Sequence, residues 1–535
     1  MKWKPLSFVG VVLAATGIMA TDALAQWPSA GADLNNSRYQ TQPSNITSST
    51  VSNLQLKWTR PTAGDVTAHP AVDGNYLYFP DSAGFLYKVD KTSGALVWQR
   101  PISDYTGIAG DIARGTPAVA GNLLILGNLN GRNIQLFGAP APAPMPARVF
   151  AVDKNTGAPV WSTRVDKTAY AFVTNSPIVY NGTAFVGVAS NEELISAFVA
   201  PANWKWTFRG SVVALDVKTG DIKWQTYTVP NNGYYGASVW GSTGAVDTQN
   251  NLLFITTGNN LAAPQKDLNC ILSGTPAAQC INPDDHFDSI IALNMSSGVI
   301  KWGQKGVPYD VWNVACGLLT IPGLPITQGM PYSPGAFGNC PNGNPQTAGP
   351  DYDFAQGPML FGNGLVGAGQ KSGMFWAFDR KTGALAWNTQ AAPGGVTGGL
   401  QWGSATDGTR VFFAASNSGP PTGGGGQSWP QVNGPPVTSG GWGALDNSGQ
   451  PLWTTPDPVN SRSEAPVSGV NDVVFGCNLV GTMVAMNAQN GNILWMYSSG
   501  APCNAGASIS ADMVYWGSGT FAGNGTKQLF AFGLP

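Results

Sequence analysis

Histidine and charged residues are scarce in this chain. Of its 535 residues only 2 are histidine, His69 and His286, and 10% are Asp, Glu, Lys or Arg, against about 25% in an average soluble domain. Two histidines exclude a multi-histidine metal site and leave little room for a Ser-His-Asp triad. The net charge of −2 argues against binding to nucleic acid or to an anionic membrane surface. No Cys-x-x-Cys-His run occurs, so we expect no c-type haem on this chain.

Long apolar runs are missing as well, apart from one near the N-terminus. Lys2 and Lys4 precede an apolar segment over residues 8–20, and the small residues Ala23-Leu24-Ala25 follow it. This order of charged, apolar and small residues predicts a secretory signal peptide over residues 1–25. The apolar segment is too short to span a bilayer, and no other run is long enough. We therefore expect a periplasmic or secreted protein without a membrane span.

Cysteine is sparse, with 6 residues in the whole chain. An exported protein meets oxidising conditions, so these cysteines are expected to pair, and six allow about 15 pairings. Cys270 and Cys280 are close enough in sequence for a disulfide between them to close a local loop. The sequence does not pair the other four, which are Cys316, Cys340, Cys477 and Cys503.

Glycine, proline and tryptophan are abundant, at 69, 40 and 19 residues. This composition is typical of many short strands joined by tight turns. One phrase also recurs along the chain, Val89-Asp90-Lys91-Thr92-Ser93-Gly94, which leads to Trp98. Further copies end at Trp161, Trp224, Trp302, Trp387, Trp453 and Trp495, and Leu529-Phe530-Ala531-Phe532 begins an eighth copy that has no Trp.

Each copy of the phrase has a simple physical interpretation. An apolar strand ends in Asp or Asn, whose side chain caps backbone N–H groups, and the Gly that follows takes a positive φ. The next strand ends in a Trp that can wedge between neighbouring units. The steps from Asp90 to Asp153 and from Asp153 to Asp216 are each 63 residues long, which leaves room for four strands and their loops. Such a period predicts an all-β propeller in one domain over residues 26–535, with an array of β-sandwiches as the alternative.

The repeat with its terminal Trp resembles the blades of the eight-bladed quinoprotein alcohol dehydrogenases, which use pyrroloquinoline quinone (PQQ). The resemblance covers nearly the whole chain after residue 25. Three phrases are most similar to the polyvinyl alcohol dehydrogenase-like branch, namely Asp310-Val311-Trp312-Asn313-Val314-Ala315-Cys316, Gln370-Lys371-Ser372-Gly373 and Gln401-Trp402-Gly403-Ser404-Ala405-Thr406-Asp407-Gly408. The resemblance implies an eight-bladed propeller that oxidises alcohols, bulky or polymeric secondary alcohols above all. It also implies electron transfer to a separate cytochrome c or another acceptor.

The resemblance assigns the central chemistry to Asp310. In the family, the acid before x-Trp is the general base and lies close to the metal; it would take the alcohol proton while hydride leaves the carbinol carbon. The family pattern His-Asp-x-Trp-Asp has Tyr309 and Asn313 here, so Asp310 is the only carboxylate of the phrase. From the residues alone, an aspartate that caps a turn is the alternative.

Two further positions match the metal ligands of the family. Glu192, in Ala189-Ser190-Asn191-Glu192-Glu193, matches the carboxylate, and Glu193 beside it is not excluded. Asn259, after the apolar run over residues 252–256, matches the amide ligand. Oxygen ligands of this kind suit Ca²⁺ and not Zn²⁺. The predicted metal set is therefore Glu192, Asn259 and Asp310, around Ca²⁺.

The predicted PQQ contacts come from five separate places in the chain. By the family pattern, Arg114 pairs with a cofactor carboxylate, Thr174 donates a hydroxyl and Trp240 is the floor on which the quinone stacks. Lys371 would hydrogen-bond the quinone oxygens and stabilise developing negative charge. Trp402 completes the predicted cofactor set. A core tryptophan and a surface lysine are the ordinary alternatives for Trp240 and Lys371.

Two departures from the family pattern weaken the match to the better-known enzymes. Many members carry two adjacent cysteines that form a ring disulfide above the cofactor, where this chain has Ile108 and Ala109. The second stacking face is then expected to be apolar or open. An early Glu that contacts the cofactor in some members is Thr67 here.

Three functions compete at this point. The first is a periplasmic PQQ- and Ca²⁺-dependent alcohol dehydrogenase. The second is a non-catalytic propeller that acts as a binding or assembly scaffold, because a fold alone never proves activity. A propeller hydrolase is the third, and the shortage of histidine argues against it. The joint presence of the predicted site residues on separate blades favours the dehydrogenase.

Overall fold

Eight antiparallel sheets stand in a ring in this computed structural model, as the blades of a β-propeller. The structure describes Met1 and residues 26–129, 146–241, 243–316, 338–344, 347–418, 426–520 and 523–535. The predicted signal peptide, apart from Met1, lies outside the described residues. The prediction of an eight-bladed, all-β propeller is confirmed, and the alternative of stacked β-sandwiches is wrong.

Each blade has four strands, and the first and second strands are the ones nearest the axis. In the order from the axis outward, blades one to four are β3 (Ala71–Asp73), β4 (Tyr76–Pro80), β5 (Phe85–Asp90) and β6 (Leu96–Pro101); β7 (Ala118–Ala120), β8 (Leu123–Gly127), β9 (Arg148–Asp153) and β10 (Pro159–Arg164); β12 (Ile178–Tyr180), β13 (Thr183–Ser190), β14 (Ser211–Asp216) and β15 (Ile222–Tyr227); β17 (Ala245–Asp247), β18 (Leu252–Thr256), β20 (Ser289–Asn294) and β21 (Ile300–Lys305).

Blades five to eight follow the same plan, and the eighth combines both ends of the chain. They are β22 (Met359–Phe361), β23 (Leu365–Gly369), β24 (Met374–Asp379) and β25 (Leu385–Gln390); β26 (Ala405–Thr406), β27 (Arg410–Ala415), β30 (Gly441–Asp446) and β31 (Pro451–Pro456); β32 (Ser468–Val470), β33 (Val473–Cys477), β34 (Thr482–Asn487) and β35 (Ile493–Ser498); β36 (Ser508–Ser510), β37 (Met513–Gly517), β38 (Gln528–Gly533) and β2 (Gln55–Pro61).

Short elements decorate the ring. Strand β1 (Tyr39–Gln40) runs parallel to β32, β11 (Ala171–Phe172) pairs with β13, β16 (Tyr235–Gly236) pairs with β19 (Asn260–Ala262), and β28 (Trp429–Gln431) pairs with β29 (Gly434–Val437). The α-helices are α1 (Ser103–Thr106), α2 (Glu192–Ile195), α3 (Gln265–Leu272) and α4 (Ala277–Cys280). Single 3₁₀ turns cover Val51–Asn53, Ser196–Phe198, Pro201–Asn203, Val314–Cys316 and Pro341–Gly343.

The eight tryptophans of the outermost strands join each blade to the next. Each indole N–H donates to a backbone carbonyl of the following blade, so the buried donor is satisfied while the ring packs between blades. The pairs are Trp58 with Lys91, Trp98 with Lys154, Trp161 with Val217, Trp224 with Met295, Trp302 with Arg380, Trp387 with Asn447, Trp453 with Ala488 and Trp495 with Leu54.

The glycine of the repeat is needed for two reasons at once. Gly94 has a φ of +69°, and a Cβ on it would lie 2.6 Å from Cε3 of Trp58. The turn therefore requires both the left-handed backbone and the absence of a side chain. Six further glycines repeat this contact with the tryptophan of the preceding blade, namely Gly157, Gly220, Gly298, Gly383, Gly449 and Gly491.

The eighth blade corrects the expectation that its tryptophan is missing. Strand β2 pairs antiparallel with β38, and this pairing places Trp58 opposite Ala531. The N-terminal strand thus completes the last blade and closes the ring. The repeat is interrupted in sequence because the blade is assembled from both ends of the chain.

Three disulfides connect the cysteines in pairs. The predicted bond between Cys270 and Cys280 is confirmed, and it joins helices α3 and α4 in an insertion of the fourth blade. The remaining pairs are Cys316 with Cys340 and Cys477 with Cys503. Within the described part of the chain, no helix is both long enough and apolar enough to cross a bilayer.

Candidate active site

The predicted cofactor residues reach one place because of their equivalent positions in the blades. Arg114 and Thr174 each lie four residues before the first strand of a blade, β7 and β12. Lys371 lies just beyond the second strand of a blade, β23. The first and second strands are antiparallel, so the start of one and the end of the other lie at the same rim of the ring. Residues from separate blades therefore gather at this rim, near the axis.

Two adjoining cavities at this rim contain all five predicted cofactor residues. Arg114, Thr174, Trp240 and Lys371 line a cavity of about 250 Å³. A smaller one of about 50 Å³ shares Arg114, Thr174 and Trp240 with it and adds Trp402. The structure thus brings together, from different blades, the residues that the family pattern assigns to PQQ.

Arg114 is held between an aromatic ring and a hydroxyl group. Its guanidinium carbon lies 4.1 Å from the ring centroid of Trp402, and Nη1 lies 3.4 Å from Oγ1 of Thr174. Trp402 in turn meets Trp240 edge to face, at 5.5 Å between ring centroids. Burial lowers the pKa of Arg114 to about 10, opposed by the carboxylate of Glu464, so the group stays cationic at neutral pH.

The backbone at Trp402 is strained. Its φ is +58°, a left-handed conformation that costs a non-glycine residue roughly 1–2 kcal/mol. The following Gly403 lies against the guanidinium of the fully buried Arg38. Strain of this kind persists where surrounding contacts fix the residue, and it is concentrated at functional sites. Here it orients the indole that supports Arg114.

Lys371 lies at the junction of the cavity and a group of acids. Its Nζ lies 2.9 Å from Oδ1 of Asp351 and 3.0 Å from Oδ2 of Asp353, and 5.4 Å from the ring centroid of Trp240. Burial pushes the pKa of Lys371 down, but the carboxylates of Asp351 and Asp353 outweigh burial and hold that pKa above its ordinary value. Lys371 is therefore a fixed cation beside the Trp240 face.

Asp310 is fully buried. Its carboxylate accepts hydrogen bonds from the backbone N–H groups of Asp351, at 3.1 Å, and Tyr352, at 2.6 Å. Gly349 packs directly against it, where no side chain would fit. Burial raises the pKa of Asp310 to about 7, although the backbone donor of Tyr352 opposes the shift. Asp310 is not among the residues that line either cavity.

Asp288 faces Asp310 and has an unusual environment. Its buried carboxylate oxygens accept no hydrogen bond from an N–H or hydroxyl group among the described residues, its carboxyl group is within hydrogen-bonding reach of the Asp310 carboxyl, and its φ of +39° is left-handed. Burial, together with the negative charge of Asp310, raises the pKa of Asp288 well above its ordinary value. With Glu193, Asp351 and Asp353 the cluster contains five acids and, in the part of the chain that the structure describes, one buried cation in contact with them, Lys371.

The predicted metal ligands occupy different positions relative to the cavity. Asn259 donates its amide to the carbonyls of Trp312, at 2.6 Å, and Asn260, at 2.9 Å. The carboxylate of Glu192 turns away from the cavity and accepts hydrogen bonds from Thr207 and from the Phe208 N–H group.

Glu193 is the glutamate that lines the larger cavity. Desolvation raises its pKa to about 7, and Lys371 opposes the shift. Of the two neighbouring glutamates that the sequence offered, Glu193 faces the cavity and Glu192 holds the helix α2 segment in place.

The described acids fit a hard divalent cation by their chemistry but do not already enclose one. No group of three or more His, Cys, Asp or Glu side chains among the described residues surrounds a single point. The buried oxygens of Asp288, however, accept no N–H or hydroxyl donor among the described residues, and Glu193 and Asp353 present carboxylates to the cavity. Such oxygen donors suit Ca²⁺. The donors Glu193, Asn259, Asp310 and Asp353 are the ones that could hold it.

Opposite the charged groups the larger cavity has an apolar wall. Leu129, Phe172, Leu194 and Val314 form this side, and the disulfide of Cys316 joins the same hydrophobic cluster as Val314. The positions of the missing ring disulfide, Ile108 and Ala109, do not line either cavity.

Several site residues were not found from the sequence. Asp351 and Asp353 lie eight and six residues before the first strand of blade five, in the same inter-blade segment that carries Arg114 and Thr174 before their own blades, and this shared segment could have pointed to them. His69 lines the smaller cavity just before β3. Asp288 had no signal in the sequence, because only tertiary packing brings it to Asp310.

Comparison with known proteins identifies the family. The family model described as "PQQ: Glucose/ethanol/alcohol dehydrogenase, beta-propeller domain" matches residues 27–317, more than half of the chain. The chain belongs to this family. The resemblance read from the repeats, and with it the prediction of an enzyme of the PQQ-dependent alcohol dehydrogenase type, is confirmed.

Individual relatives extend the match over nearly the whole chain. The polyvinylalcohol dehydrogenase of a Pseudomonas species is 24% identical over 94% of this chain and 74% of its own length. That of Sphingopyxis sp. (strain 113P3) is 24% identical over 95% of this chain and 74% of its own length. The quinohemoprotein alcohol dehydrogenase structure from Comamonas testosteroni is 18% identical, with a TM-score of 0.67 over 96% of this chain and 81% of its own. This last likeness concerns the fold alone.

Proposed function

We propose that this protein oxidises alcohols with bound PQQ, and that its substrates are bulky or polymeric secondary alcohols such as polyvinyl alcohol. The observation that carries the proposal is the convergence of Arg114, Thr174, Trp240 and Lys371, from separate blades, on one cavity of about 250 Å³. The match of two polyvinylalcohol dehydrogenases over nearly the full chain supports the substrate class.

The residues of the cavity fit a flat, polyanionic quinone. Trp240 offers an aromatic face, on which a planar ring system can stack over a large area. Arg114, held by Trp402, presents N–H donors suited to a carboxylate. The hydroxyl of Thr174 adds a further donor, and Lys371 places a positive charge at the edge of the Trp240 ring. PQQ, when bound, supplies a quinone that accepts hydride from the alcohol carbon.

Asp310 is the proposed base, which takes the hydroxyl proton of the substrate onto its carboxylate. Burial raises the pKa of Asp310 to about 7 in the metal-free protein, which favours proton uptake near neutral pH, whereas Ca²⁺ beside the carboxylate would lower it. Asp353 is nearer to the cavity, but its carboxylate is ion-paired with Lys371 Nζ, at 3.0 Å, whereas the Asp310 carboxylate accepts hydrogen bonds from the backbone N–H groups of Asp351 and Tyr352. The positive charge of Lys371 would stabilise negative charge that develops on the acceptor oxygen.

The proposal also includes a Ca²⁺ ion, bound beside the cavity. Glu193, Asn259 and Asp310, with Asp353, are the residues we propose to hold Ca²⁺; Glu193 replaces Glu192 because its carboxylate lines the cavity. A cation there would offset the surplus of buried negative charge and, as a Lewis acid, polarise a neighbouring carbonyl.

The setting of the reaction is also proposed. The charged, apolar and small residues at the N-terminus favour a signal peptide over residues 1–25, a single propeller domain over 26–535, and export to the periplasm. Three disulfides support an oxidising compartment. A separate cytochrome c is the proposed electron acceptor.

Reconstitution tests the proposed function. Purified protein would be mixed with PQQ and CaCl₂, freed of excess cofactor, and supplied with a panel of alcohols and a reducible dye. We expect a retained quinone absorption band and dye reduction that depends on both PQQ and a secondary alcohol. If no absorption band is retained at saturating PQQ, the protein is a scaffold and not this dehydrogenase.

A further inference from the structure

A row of aromatic side chains leads out of the larger cavity. Phe172 lines the cavity, and Tyr170 lies two residues before it, in the turn that leads into β11. Ala171 between them is buried in the core and pairs with Ser190, which also lines the cavity. Tyr170 is therefore directly adjacent in the chain to the strand that forms this part of the cavity wall.

Two tryptophans extend this row. Trp204 is stacked on Tyr170, with 6.1 Å between ring centroids and 25° between ring planes. Trp206 meets Trp204 edge to face at 5.2 Å. Both tryptophans and Tyr170 are partly exposed. We call Phe172, Tyr170, Trp204 and Trp206 the aromatic row.

The segment that carries the tryptophans is fixed to the cavity rim. The N–H of Asn191, a cavity residue, donates to the carbonyl of Tyr170 at 2.9 Å. The buried carboxylate of Glu192 accepts hydrogen bonds from Thr207 and Phe208, immediately after Trp206. Glu192 therefore ties the end of the row to helix α2, whose Glu193 and Leu194 line the cavity. This gives a physical role to the glutamate that the sequence placed on the metal.

We propose that the aromatic row is the binding track for an extended, uncharged, hydroxylated hydrocarbon chain whose reacting unit lies in the cavity. The inference rests on the proposed function and deepens it. The rings are neutral and begin with Phe172 in the cavity wall, so they offer apolar contact to the CH and CH₂ groups of a polymer beside its reacting carbinol. A short diol in the cavity would not reach Trp204 or Trp206. The track would therefore act on polymer binding and leave small substrates unaffected.

The experiment compares Trp204→Ala, Trp206→Ala and their double variant with the conservative Trp204→Phe. The control is Tyr227→Ala, a 40% exposed aromatic on the outermost strand of the same blade. Protein loaded with PQQ and Ca²⁺ would be assayed with long-chain polyvinyl alcohol and with a five-carbon secondary diol. Binding of the polymer to cofactor-free protein would be followed separately by quenching of tryptophan fluorescence.

We expect the double variant to raise the KM for the polymer about tenfold, since aromatic contacts of this kind contribute about 0.5–1.5 kcal/mol each and 1.4 kcal/mol is tenfold. The kcat of the double variant for the polymer should stay unchanged, as should its kcat and KM for the diol. The variants Trp204→Phe and Tyr227→Ala should resemble the wild type. The affinity of cofactor-free protein should fall in parallel.

Two results would overturn the proposal that the aromatic row binds the polymer. One is an unchanged polymer KM and polymer affinity in a folded double variant. The other is wild-type affinity for dextran equal to that for the polymer, which would assign the row to saccharides. If loaded wild-type protein oxidises neither alcohol, the proposed function fails, and the quenching measurement still decides whether the row binds the polymer.

Discussion

The ammonium of Lys371 lies 3.0 Å from the carboxylate of Asp353, and the same carboxylate accepts the backbone N–H of Asn259 at 2.6 Å. One aspartate thus joins the cation beside the Trp240 face to the predicted metal region. The cavity and the acid cluster are therefore parts of one electrostatic unit, and the following predictions test how this unit works.

Removal of Lys371 should destabilise the protein strongly. Lys371→Met leaves Asp351 and Asp353 buried without their cation, and breaking a buried ion pair in this way costs about 3–5 kcal/mol. Lys371→Met combined with Asp353→Asn should cost less than the sum of the two single changes, because the two charges are then removed together. Chemical denaturation of the cofactor-free protein measures the effect. Additive losses would show that the pair is not coupled.

Substitution of Asp310 and substitution of Asp353 should have different effects on the kinetics. Asp310→Asn removes the proposed proton acceptor at nearly constant volume, and general base catalysis contributes typically 10²–10⁴-fold; we expect kcat to fall by about that factor while PQQ binding persists. Asp353→Asn should reduce PQQ and Ca²⁺ retention more than kcat of the loaded fraction, because Asp353 positions Lys371. Steady-state kinetics together with the quinone absorption band distinguish the two. The reverse pattern would make Asp353 the base.

The cofactor-free protein should lose stability as pH rises from about 5 to about 7. The pKa of Asp310 is about 7 in the folded state and 3.8 ordinarily, so between these values the folded state binds more protons than the unfolded state, and the free energy of unfolding falls with rising pH. The raised pKa values of Asp288 and Asp351 act in the same direction. Thermal melts over this range should show a smaller pH slope in Asp310→Asn. Added CaCl₂ should raise the Tm more at pH 8 than at pH 5, because a cation favours the ionised acids.

The glycine of the repeat turn allows a matched pair of substitutions. Gly94→Ala faces both a positive φ and a Cβ position 2.6 Å from the Trp58 ring, whereas Gly74 has a φ of +57° with nothing within 4 Å of a Cβ. Gly74→Ala should cost roughly 1–2 kcal/mol through the backbone alone, and Gly94→Ala should cost about 1–3 kcal/mol more through overpacking. Equal losses in the two variants would show that the Trp58 contact does not matter for stability.

Much of the site could be predicted because family motifs stand at fixed places in a repeat. Arg114, Thr174, Trp240, Lys371 and Trp402 were all named from short phrases, and all line the cavities. The choice between Glu192 and Glu193 could not be made, because it depends on which side chain points toward the axis from a single turn of helix. The roles of Asp310, Asn259 and Glu193 stay predictions until the experiments above are done.

The sequence by itself determined the propeller. Its Asp-to-Gly turn and terminal Trp recur at a spacing that leaves room for four strands and their loops, and these signals are local in the chain. Tertiary structure alone decided the rest. Trp58 completes a blade whose other strands lie more than four hundred residues away, and Asp288 meets Asp310 across two loops of the fourth blade. Even Asp310, prominent in the sequence, depends on Gly349 and the backbone of Asp351 and Tyr352 for its burial. The burial of a side chain and the charges around it depend on neighbours that the chain brings together only by folding, so no local pattern encodes them.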